Sequence, residues 1–383
     1  MRKNFMKKVV AGMLTAVMAF SLTACGGGDA STNDTAKEEG SSDVITVGFS
    51  QVGAESDSSS SSDDVITVGF SQVGAESDWR TANSESMKST FTKDNGYELI
   101  FDDAQQKQEN QISAIRNFIQ QDVDYIVLAP VTETGWDAVL GEAKQAGIPV
   151  IIVDRMVDVK DDSLYTAWVG SNFELEGKKA AAYLDAYMKA KNMKDMKLVN
   201  IQGTIGASAQ IGRTKGLDDA VAANGWNLLD KTTGEFTQAK GQEVMESFLK
   251  QNKDIDVVVA QNDNMAFGAI DAIEAAGKTV GSDIANGEIM VISFDTTHAG
   301  LQDVLDGKIE CDVECNPLHG PRAEELIKKL EAGEDIDKLN YVDEEIFAHD
   351  DTVKSVKATN SLDEEKDFDV TPLTQDILDK RAY

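Results

Sequence analysis

From residue 64 onward, short apolar runs alternate with longer segments in which apolar residues recur at helical spacing. The apolar runs are rich in valine and isoleucine and are bounded by turn-forming and charged residues, which is typical of buried strands. In a first series the predicted strands are VITVGF, YELIFDD, DYIVLAP and IPVIIVDR, and the predicted helices run through Lys93, near 107 to 120 and near 136 to 146. This alternation predicts a series of βαβ units.

A second series of the same kind follows. Its predicted strands are LYTAWVG, KLVNIQG, a run after Trp226, DVVVAQN and IMVISFD, and its predicted helices are ELEGKKAAAYLDAYMKAKN, 207 to 223, 238 to 252 and MAFGAIDAIEAAG. Continuous apolar strands indicate parallel sheets that helices cover on both faces. The two series therefore predict an α/β fold with two doubly wound parallel-sheet lobes, which bind ligands at the carboxyl ends of their strands.

Hydrogen-bonding side chains follow most of these strands. The positions are Ser77 to Arg80, Asp102-Asp103, Ala129-Pro130, Asp154-Arg155, Gln202, Gly234-Glu235, Asn262-Asp263, Asp295 and Glu314. Carboxylates, amides and guanidinium groups can engage neighbouring hydroxyls in paired, charge-assisted hydrogen bonds. Trp79 can cover the apolar face of a sugar ring. The strand ends thus predict a cleft for a neutral polyol.

The first residues have the pattern of an export signal. A basic start precedes an apolar run that is short for a membrane span, and small residues precede Cys25. The segment Leu22-Thr23-Ala24-Cys25 resembles a bacterial lipobox, whose cysteine is lipidated after cleavage; a chance cysteine after a plain signal peptide is the alternative. Loss of residues 1–24 removes four basic residues and no acid, so the formal charge changes from −31 to −35. Such a charge repels nucleic acid, which we exclude as a partner.

Residues 25–63 are predicted to form a flexible tether, because their Gly/Ser/acid-rich start has no apolar period. Within the tether, residues 43–57 are identical to residues 64–78. Only the second copy continues into Trp79 and a helical pattern, so we expect it to form the strand of the fold. The first copy is then a spare strand, an extension of the tether or an assembly artefact.

Cys311 and Cys315 lie in KIECDVEC, a predicted strand. Four steps along a strand span about 13 Å, whereas a disulfide tolerates about 7 Å between Cα atoms, so we expect two free thiols. Metal binding is the weaker alternative, since the histidines at 298, 319 and 349 match no ligand spacing. We predict no metal site and no cofactor.

Nearly all of residues 64–383 resemble the ribose/galactose class of periplasmic sugar-binding proteins, and above all its galactofuranose-binding branch. The resembling strings are ITVGFSQVGAESDWR, DAQQKQENQISAIRNFI, LAPVTETGWDAVL, IPVIIVDRMVDVKDDSLY, QGTIGASAQIGRTKG, GEFTQAKGQEVMESF and QNDNMAFGAI. The resemblance implies a type I periplasmic binding protein, in which a three-stranded hinge joins the lobes. It implies that the sugar contacts Ser77, Trp79, Arg80, Asp154, Arg155, Arg213, Asn262 and Asp295, with Glu314 counted among them near the hinge.

Each of these residues has a structural alternative. Asp154 and Arg155 could form a surface ion pair, and Arg213 could be an ordinary exposed helical arginine. Asn262 and Asp295 could cap the helices that follow them. Trp79 could fill the core, and Glu314 could be an edge-strand charge.

The resemblance also implies the domain boundaries. The N-terminal lobe comprises 64–170 with 316–343, and the C-terminal lobe comprises 171–315 with 344–383. The chain would cross between the lobes near Gly170-Ser171, near Cys315-Asn316 and around 343–346. Three features depart from the family pattern, and they leave the sugar and its ring form open: Asn264, Thr296-Thr297 and the long acidic stretch from His349 to Phe368.

The predicted protein is an extracytoplasmic, lipid-anchored, monomeric receptor. It would capture a monosaccharide, galactofuranose or a related hexose or pentose, and deliver it to the membrane subunits of an ABC importer through ligand-driven closure of the lobes. A sensory module that presents a sugar to a membrane receptor or kinase is the alternative. A glycosidase pair of Asp154 and Asp295 is disfavoured, because Arg155 favours ionised Asp154 whereas a general acid needs a raised pKa. The export signal and the missing DNA-binding headpiece exclude a repressor.

Overall fold

The structure is a computed structural model that describes residues 65–193, 195–360 and 364–383. The predicted signal peptide, Cys25, the tether and the first copy of the repeat lie outside the described residues. The first strand, Ile66–Gln72, belongs to the second copy of the repeat.

The first lobe is a six-stranded sheet with helices on both faces. Its strands are β1 (Ile66–Gln72), β2 (Tyr97–Asp103), β3 (Tyr125–Leu128), β4 (Val150–Val153), β5 (Ala167–Gly170) and β11 (Leu339–Tyr341), and its helices are α1 (Asp78–Thr90), α2 (Gln108–Gln120), α3 (Asp137–Ala146) and α9 (His319–Ala332). The strand order is β11-β5-β4-β3-β1-β2, with every pair parallel. Short 3₁₀ turns lie at Lys93–Asn95 and Asp162–Leu164.

The second lobe is a seven-stranded sheet. Its strands are β6 (Lys197–Gln202), β7 (Asn227–Thr233), β8 (Val257–Ala260), β9 (Met290–Asp295), β10 (Cys311–Glu314), β12 (Ile346–Ala348) and β15 (Thr371–Pro372). Its helices are α4 (Phe173–Ala190), α5 (Ser208–Asn224), α6 (Gln238–Gln251), α7 (Asp263–Ala275), α8 (His298–Leu305) and α10 (Gln375–Leu378), with a 3₁₀ turn at Ile284–Asn286. The order is β15-β12-β10-β9-β8-β6-β7, and only the β10–β12 pair is antiparallel.

The two sheets repeat one topology. The first five strands of each lobe have the order β2-β1-β3-β4-β5 and β7-β6-β8-β9-β10, the doubly wound arrangement that places a ligand crevice at the carboxyl ends of the strands. The predicted α/β fold with two parallel-sheet lobes is therefore confirmed. The chain passes between the sheets after Gly170, after Glu314 and between Tyr341 and Ile346.

Each sheet is buried on both faces. In the first lobe one apolar cluster includes Met87 and Ile327 and the other includes Ile115 and Leu140, so α1 and α9 cover one face and α2 and α3 cover the other. In the second lobe α6, α7 and α8 cover one face of the sheet, and α4 and α5 cover the other face. This double covering explains the continuous apolar strands of the sequence.

The acidic stretch after His349 contains a further element. Strands β13 (Ser355–Thr359) and β14 (Glu365–Asp369) form an antiparallel hairpin. Val356 and Phe368 pack with the helix α4 side of the second lobe. Strand β14 exposes Glu365, Asp367 and Asp369, whereas β13 contains no acidic residue.

Both cysteines of the described chain, Cys311 and Cys315, are buried free thiols, which confirms the expectation for this pair. Among the helices that the structure describes, none combines the length and the apolar character that a membrane crossing requires.

Candidate ligand-binding site

A cavity of about 290 Å³ lies where the carboxyl ends of the two sheets face each other. Its lining comes from both lobes and consists of Glu76, Ser77, Trp79, Arg80, Asp154, Arg155, Phe173, Ala209, Arg213, Phe236, Asn262, Asp295 and Cys315. Eight of the nine residues predicted from the sequence are in this lining, and Glu314 is not.

The first lobe contributes a chain of alternating charges. Arg80 on α1 donates from Nε to Glu76 Oε1 at 3.1 Å, from Nη1 to Gln72 Oε1 at 3.2 Å and from Nη2 to Asp154 Oδ2 at 2.7 Å. Arg155 lies 3.5 Å from Glu76 and 3.9 Å from Asp154 through its Nη2 and Nε atoms, and it donates from Nη1 to the Val131 carbonyl at 3.0 Å. Because these side chains are buried, the alternative of a surface ion pair for Asp154 and Arg155 is wrong.

These charges set the protonation of the first half of the cavity. Burial opposes ionisation of Asp154, but the neighbouring charges of Arg80 and Arg155 outweigh it and lower the pKa of Asp154 below its usual value. Burial and the Arg80 charge lower the pKa of Arg155 to about 10, which still leaves this guanidinium charged at neutral pH. Asp154 is therefore a hydrogen-bond acceptor fixed between two arginines.

The second lobe contributes Arg213, at the point where helices α4 and α5 cross. A Cβ atom on Gly177 would lie 2.6 Å from the Arg213 carbonyl oxygen, so only glycine permits this approach. Arg213 donates from Nε to Glu176 Oε2 at 2.6 Å, from Nη1 to the Gln261 carbonyl at 2.5 Å and from Nη2 to Asp295 Oδ1 at 3.3 Å. Its side chain is 2% exposed, so the alternative of an exposed helical arginine is wrong.

Asp295 ends strand β9, and its carboxylate is offset by less neighbouring positive charge than the carboxylate of Asp154. Burial raises the pKa of Asp295 well above its usual value, and the charges of Asp263, Glu176 and Asp154 add to this effect while Arg213 opposes it. Asp295 does not cap helix α8, because Thr297 Oγ1 accepts from Gly300 N at 3.1 Å in that role. The capping alternative for Asp295 is thus wrong.

The backbone at the cavity is strained in the same way on both lobes. Asp154, Phe236 and Asp295 have φ values of 62°, 61° and 110°, in the region that favours glycine. Non-glycine residues keep such values only where the surrounding structure holds them, and they concentrate at functional sites. The strained turns aim the two carboxylates at the shared cavity.

Ser77 and Asn262 cap helices that start at the cavity. Ser77 Oγ accepts from Arg80 N at 3.1 Å, and Asn262 Oδ1 accepts from Met265 N at 3.0 Å. The Asn262 amide also donates to the Phe236 carbonyl at 3.2 Å. The capping alternative for Asn262 is therefore correct, and the same side chain lines the cavity.

Aromatic rings form the apolar walls. Trp79 donates from Nε1 to the Cys315 carbonyl at 2.6 Å and packs in a core cluster, so it is both a wall and core filler. Phe236 comes from the second lobe, and its ring centroid lies 5.0 Å from the guanidinium carbon of Arg155 on the first lobe. Phe173, at the start of α4, lies 5.5 Å from the guanidinium carbon of Arg213.

Direct hydrogen bonds join the lobes at the rim. The Asp78 amide donates to Asn264 Oδ1 at 2.9 Å. The Met156 amide donates to Ser208 Oγ at 2.9 Å, and the Glu133 amide donates to the Gly206 carbonyl at 2.9 Å. The cleft is therefore in a closed form, and Asn264, one of the departures from the family pattern, belongs to the rim.

Glu314 lies at the end of β10, outside the cavity lining. Its carboxylate accepts from Arg381 at 2.9 Å, from the Tyr383 hydroxyl at 2.6 Å and from the Glu345 amide at 2.8 Å. These donors occupy the carboxylate oxygens that a ligand would need. The alternative of an edge-strand charge is therefore wrong, because β10 lies between β9 and β12 in the sheet and the carboxylate is buried and paired.

A group that could hold a metal ion lies beside the cavity. Ligand atoms of Glu176, Cys315 and Glu344 all lie within 4.8 Å of one another. Glu176 already pairs with Arg213, and Glu344 Oε1 accepts from Ser171 Oγ at 2.5 Å and from the Asn316 amide at 2.9 Å. Arg213 therefore supplies positive charge to Glu176, one of the two carboxylates of this group.

Five lining residues were not predicted from the sequence: Glu76, Phe173, Ala209, Phe236 and Cys315. Glu76 and Phe236 directly adjoin the predicted positions Ser77 and Glu235, so a wider window at each strand end would have included them. Phe173, Ala209 and Cys315 carry no polar signal that separates a cleft residue from a core residue.

Two lobes of the same doubly wound topology, with a cavity shared between their strand ends, define a type I periplasmic binding protein. Residues 68–319 match the periplasmic binding protein domain, and the chain belongs to that family. It is 41% identical over 323 residues to the galactofuranose-binding protein YtfQ of Escherichia coli (strain K12), across 83% of this chain and 92% of that protein.

Two solved structures are similar as well. One, from Mycobacterium smegmatis in complex with β-D-fucofuranose, has 46% identity and a TM-score of 0.71 over 75% of this chain and 92% of that chain. The other is the periplasmic binding protein component of the arabinose ABC transporter from Shewanella sp. ANA-3, bound to α- and β-L-arabinofuranose. It has 43% identity and a TM-score of 0.69 over 74% of this chain and 92% of that chain.

The Escherichia coli relative is a galactofuranose-binding protein and the Shewanella relative is a component of an ABC transporter, and this chain is a sugar-binding protein of that family and not an enzyme. The resemblance to the ribose/galactose class and to its galactofuranose-binding branch is therefore confirmed. The glycosidase alternative for Asp154 and Asp295 is wrong.

Proposed function

We propose that the protein captures a neutral monosaccharide in its furanose ring form, galactofuranose or a related hexose or pentose, and delivers it to an ABC importer. The observation that carries this proposal is the charge-balanced cavity, which three arginines and three carboxylates line from both lobes. Each of these groups can exchange paired hydrogen bonds with ring hydroxyls.

The balance of charges favours a neutral ligand. Arg80 and Arg155 lie within 4.0 Å of Asp154 and Glu76, and Arg213 lies 2.6 Å from Glu176, so each cation among the described lining residues has a counter-charge that does not depend on Asp295. A charged ligand would find no unpaired group of opposite charge in the lining. An uncompensated buried charge costs about 3–5 kcal/mol, which corresponds to a loss of more than 100-fold in affinity. Sugar acids and amino sugars should therefore bind much more weakly than neutral sugars.

The furanose form is proposed from the relatives. The two similar structures contain β-D-fucofuranose and L-arabinofuranose, and the relative from Escherichia coli is a galactofuranose-binding protein.

Delivery and anchoring complete the proposal. The lobes would close on the sugar by bending at the three crossings, and the importer's membrane subunits would bind the closed form. The receptor would act as a monomer on the outer face of the membrane, held by a lipid on Cys25. A Cys25→Ser variant should then be released from membranes of the producing cells, with a Cys315→Ser variant as the control; retention of the Cys25→Ser variant would contradict the anchor.

Calorimetric titration tests the ligand proposal. The purified protein is titrated with L-arabinose, D-galactose, D-fucose, D-ribose and D-xylose, with methyl β-D-galactofuranoside and methyl β-D-galactopyranoside as fixed rings, and with D-galacturonate and D-galactosamine as charged analogues. We expect tight binding of at least one neutral sugar, a preference for the fixed furanose over the fixed pyranose, and no conversion of the sugar. Binding of a charged analogue above its neutral parent, or no binding at all, would overturn the proposal.

A further inference from the structure

We infer that Arg381 and Tyr383 are positioning residues of the sugar site, because they tie the strained Asp295-Thr296 turn to two of the three crossings between the lobes. This inference rests on the proposed function, since its main effect is expected on sugar affinity. Neither residue lines the cavity, so each would act through the residues that it holds.

The Arg381 guanidinium joins three separate parts of the second lobe. Its Nη2 donates to Thr296 Oγ1 at 2.7 Å and to Glu314 Oε1 at 2.9 Å, and its Nη1 lies 3.5 Å from Glu345 Oε2. Its guanidinium carbon lies 5.2 Å from the ring centroid of Phe347. One side chain thus connects the end of β9 with the end of β10 and with the segment that leads into β12.

Tyr383 supports the same arrangement. Its hydroxyl donates to Glu314 Oε1 at 2.6 Å and also contacts Arg381 Nη2. Its ring centroid lies 4.7 Å from the guanidinium carbon of Arg381. The ring and the hydroxyl together restrict the guanidinium to the orientation that reaches Thr296.

The Thr296 end of this arrangement adjoins the sugar site. Asp295 has a φ of 110° and Thr296 a φ of 55°, so two consecutive non-glycine residues have a conformation that their neighbours must enforce. Thr296 is held at its amide, which donates to Asp312 Oδ1 at 3.3 Å, and at its hydroxyl by Arg381. Loss of the second contact removes one restraint from the turn, while the Thr296 amide still donates to Asp312 and the Asp295 carboxylate still accepts from Arg213.

The Glu314 end adjoins the hinge. Glu314 Oε2 accepts from the Glu345 amide at 2.8 Å, and Glu314 Oε1 accepts from Asn316 Nδ2 at 3.1 Å. Asn316 follows the second crossing point, and Glu345 precedes β12 in the third. Burial opposes ionisation of Glu314, but the Tyr383 hydroxyl and the Arg381 charge lower the pKa of Glu314 below its usual value.

Burial makes the loss of one partner of this ion pair more costly than the same loss in a surface ion pair. The side chains of Arg381 and Glu314 are 12% and 5% exposed. Removal of the guanidinium would leave the Glu314 carboxylate buried with fewer donors, which disturbs its surroundings more than loss of an exposed pair does. Lys380 offers a matched control, because its ion pair with Asp376 is 71% and 77% exposed.

The experiment measures sugar affinity in Arg381→Ala, Arg381→Lys and Tyr383→Phe, with Lys380→Ala as the control, at a temperature well below each melting midpoint. Calorimetry uses the neutral sugar of the panel that the wild-type protein binds. Arg381→Ala is expected to raise Kd by about 3- to 30-fold, the usual range for residues that act through a connected network. Arg381→Lys should restore part of this loss, because a lysine can pair with Glu314 but cannot also reach Thr296 and Glu345 with a planar fork.

A double-mutant cycle separates positioning from a general loss of stability. If Arg381 acts through the Asp295-Thr296 turn, the effects of Arg381→Ala and Asp295→Asn on Kd will be less than multiplicative in the double variant. Multiplicative effects would overturn the inference, as would a wild-type Kd in both Arg381→Ala and Tyr383→Phe.

Failure of the proposed function gives a different result. In that case the wild-type protein binds no sugar of the panel, and hydrogen exchange of the amides in 295–298 decides the inference. Faster exchange there in Arg381→Ala than in Lys380→Ala supports the positioning role. Equal exchange in the two variants overturns it.

Discussion

The two halves of the cavity use the same residue types and give them different protonation behaviour. Asp154 on the first lobe lies between Arg80 and Arg155, and their charges lower its pKa despite its burial. Asp295 on the second lobe lies 3.3 Å from Arg213, and burial with neighbouring acids raises its pKa. Both aspartates follow or end a buried parallel strand and have positive φ values.

This difference shows that position in the fold does not determine the chemistry of a strand-end carboxylate. The topology brings both aspartates to the cleft, whereas the number of adjacent guanidinium groups decides which of them is held ionised. The first half is therefore a fixed acceptor, and the second half can respond to ligand and to pH.

The largest expected effect comes from Asp154→Ala. The change leaves Arg80 and Arg155 buried with Glu76 as their remaining carboxylate, so we expect sugar affinity to fall more than 100-fold and the free energy of unfolding to fall by about 3 kcal/mol or more. Calorimetry and denaturant unfolding measure the two effects. Asp158→Ala, which changes an exposed aspartate four residues later, should leave both values unchanged. Affinity within twofold of the wild-type value would contradict the assignment of Asp154.

A smaller effect is expected from Asp295→Asn, because the amide keeps the shape of the side chain and Arg213 remains paired with Glu176. Loss of one charge-assisted hydrogen bond should lower sugar affinity by about 10- to 100-fold. An effect larger than that of Asp154→Asn, measured in parallel by calorimetry, would reverse the proposed ranking of the two halves.

The pH dependence of stability sharpens the same comparison. The lowered pKa of Asp154 contributes stability above its unfolded pKa of about 3.9, and this contribution is lost as the pH falls through the folded value. The raised pKa of Asp295 has the opposite sign, so its contribution is complete below about pH 3.9 and is lost as the pH rises through the folded value. Denaturant unfolding from pH 3 to pH 8, a range of about five units around these values, measures both.

We expect Asp154→Asn to flatten the acid side of this profile, and Asp295→Asn to flatten the loss that occurs as the pH rises. If both variants changed the same side of the profile, the two carboxylates would not differ in the way described.

The smallest effect is expected at the rim, from Asn264→Ala. The side chain accepts the Asp78 amide of the other lobe at 2.9 Å and does not line the cavity, so its loss should weaken binding by about 2- to 10-fold. The change should lie mainly in the dissociation rate, which stopped-flow fluorescence can measure through the tryptophans. Asn117→Ala, on an exposed helix face, is the control. An unchanged dissociation rate would show that the hydrogen bond between Asp78 and Asn264 does not help to keep the lobes closed.

Much of the fold could be predicted because the strands are continuous apolar runs and the helices are periodic. Strand β4, for example, lies within IPVIIVDR, and helix α3 has the predicted range. The late elements could not be predicted in this way. Strands β12 and β15 are three and two residues long, which is too short for a periodic signal. The antiparallel pairing of β12 with β10 depends on where the chain enters the second sheet after the third crossing between the lobes.

The site was predictable to the extent that polar residues follow strands. That rule, together with the resemblance, identified Asp154, Arg155, Asn262 and Asp295. It could not find Phe173, since an aromatic cleft wall has the same sequence signal as a core residue, and it stopped one residue short of Phe236. The rule also placed Glu314 among the ligand contacts, although Glu314 lies outside the cavity lining. Its partners Arg381 and Tyr383 are nearly 70 residues away in the sequence, and only the fold brings them to it.

The most direct test is a crystal structure of the protein with the neutral sugar that it binds most tightly in the titration panel. We predict one furanose ring between the lobes, with hydroxyls about 2.5–3.2 Å from both Asp154 and Asp295 and with Trp79 or Phe236 against a ring face. A sugar bound to one lobe alone, or at a site that contacts neither aspartate, would contradict it.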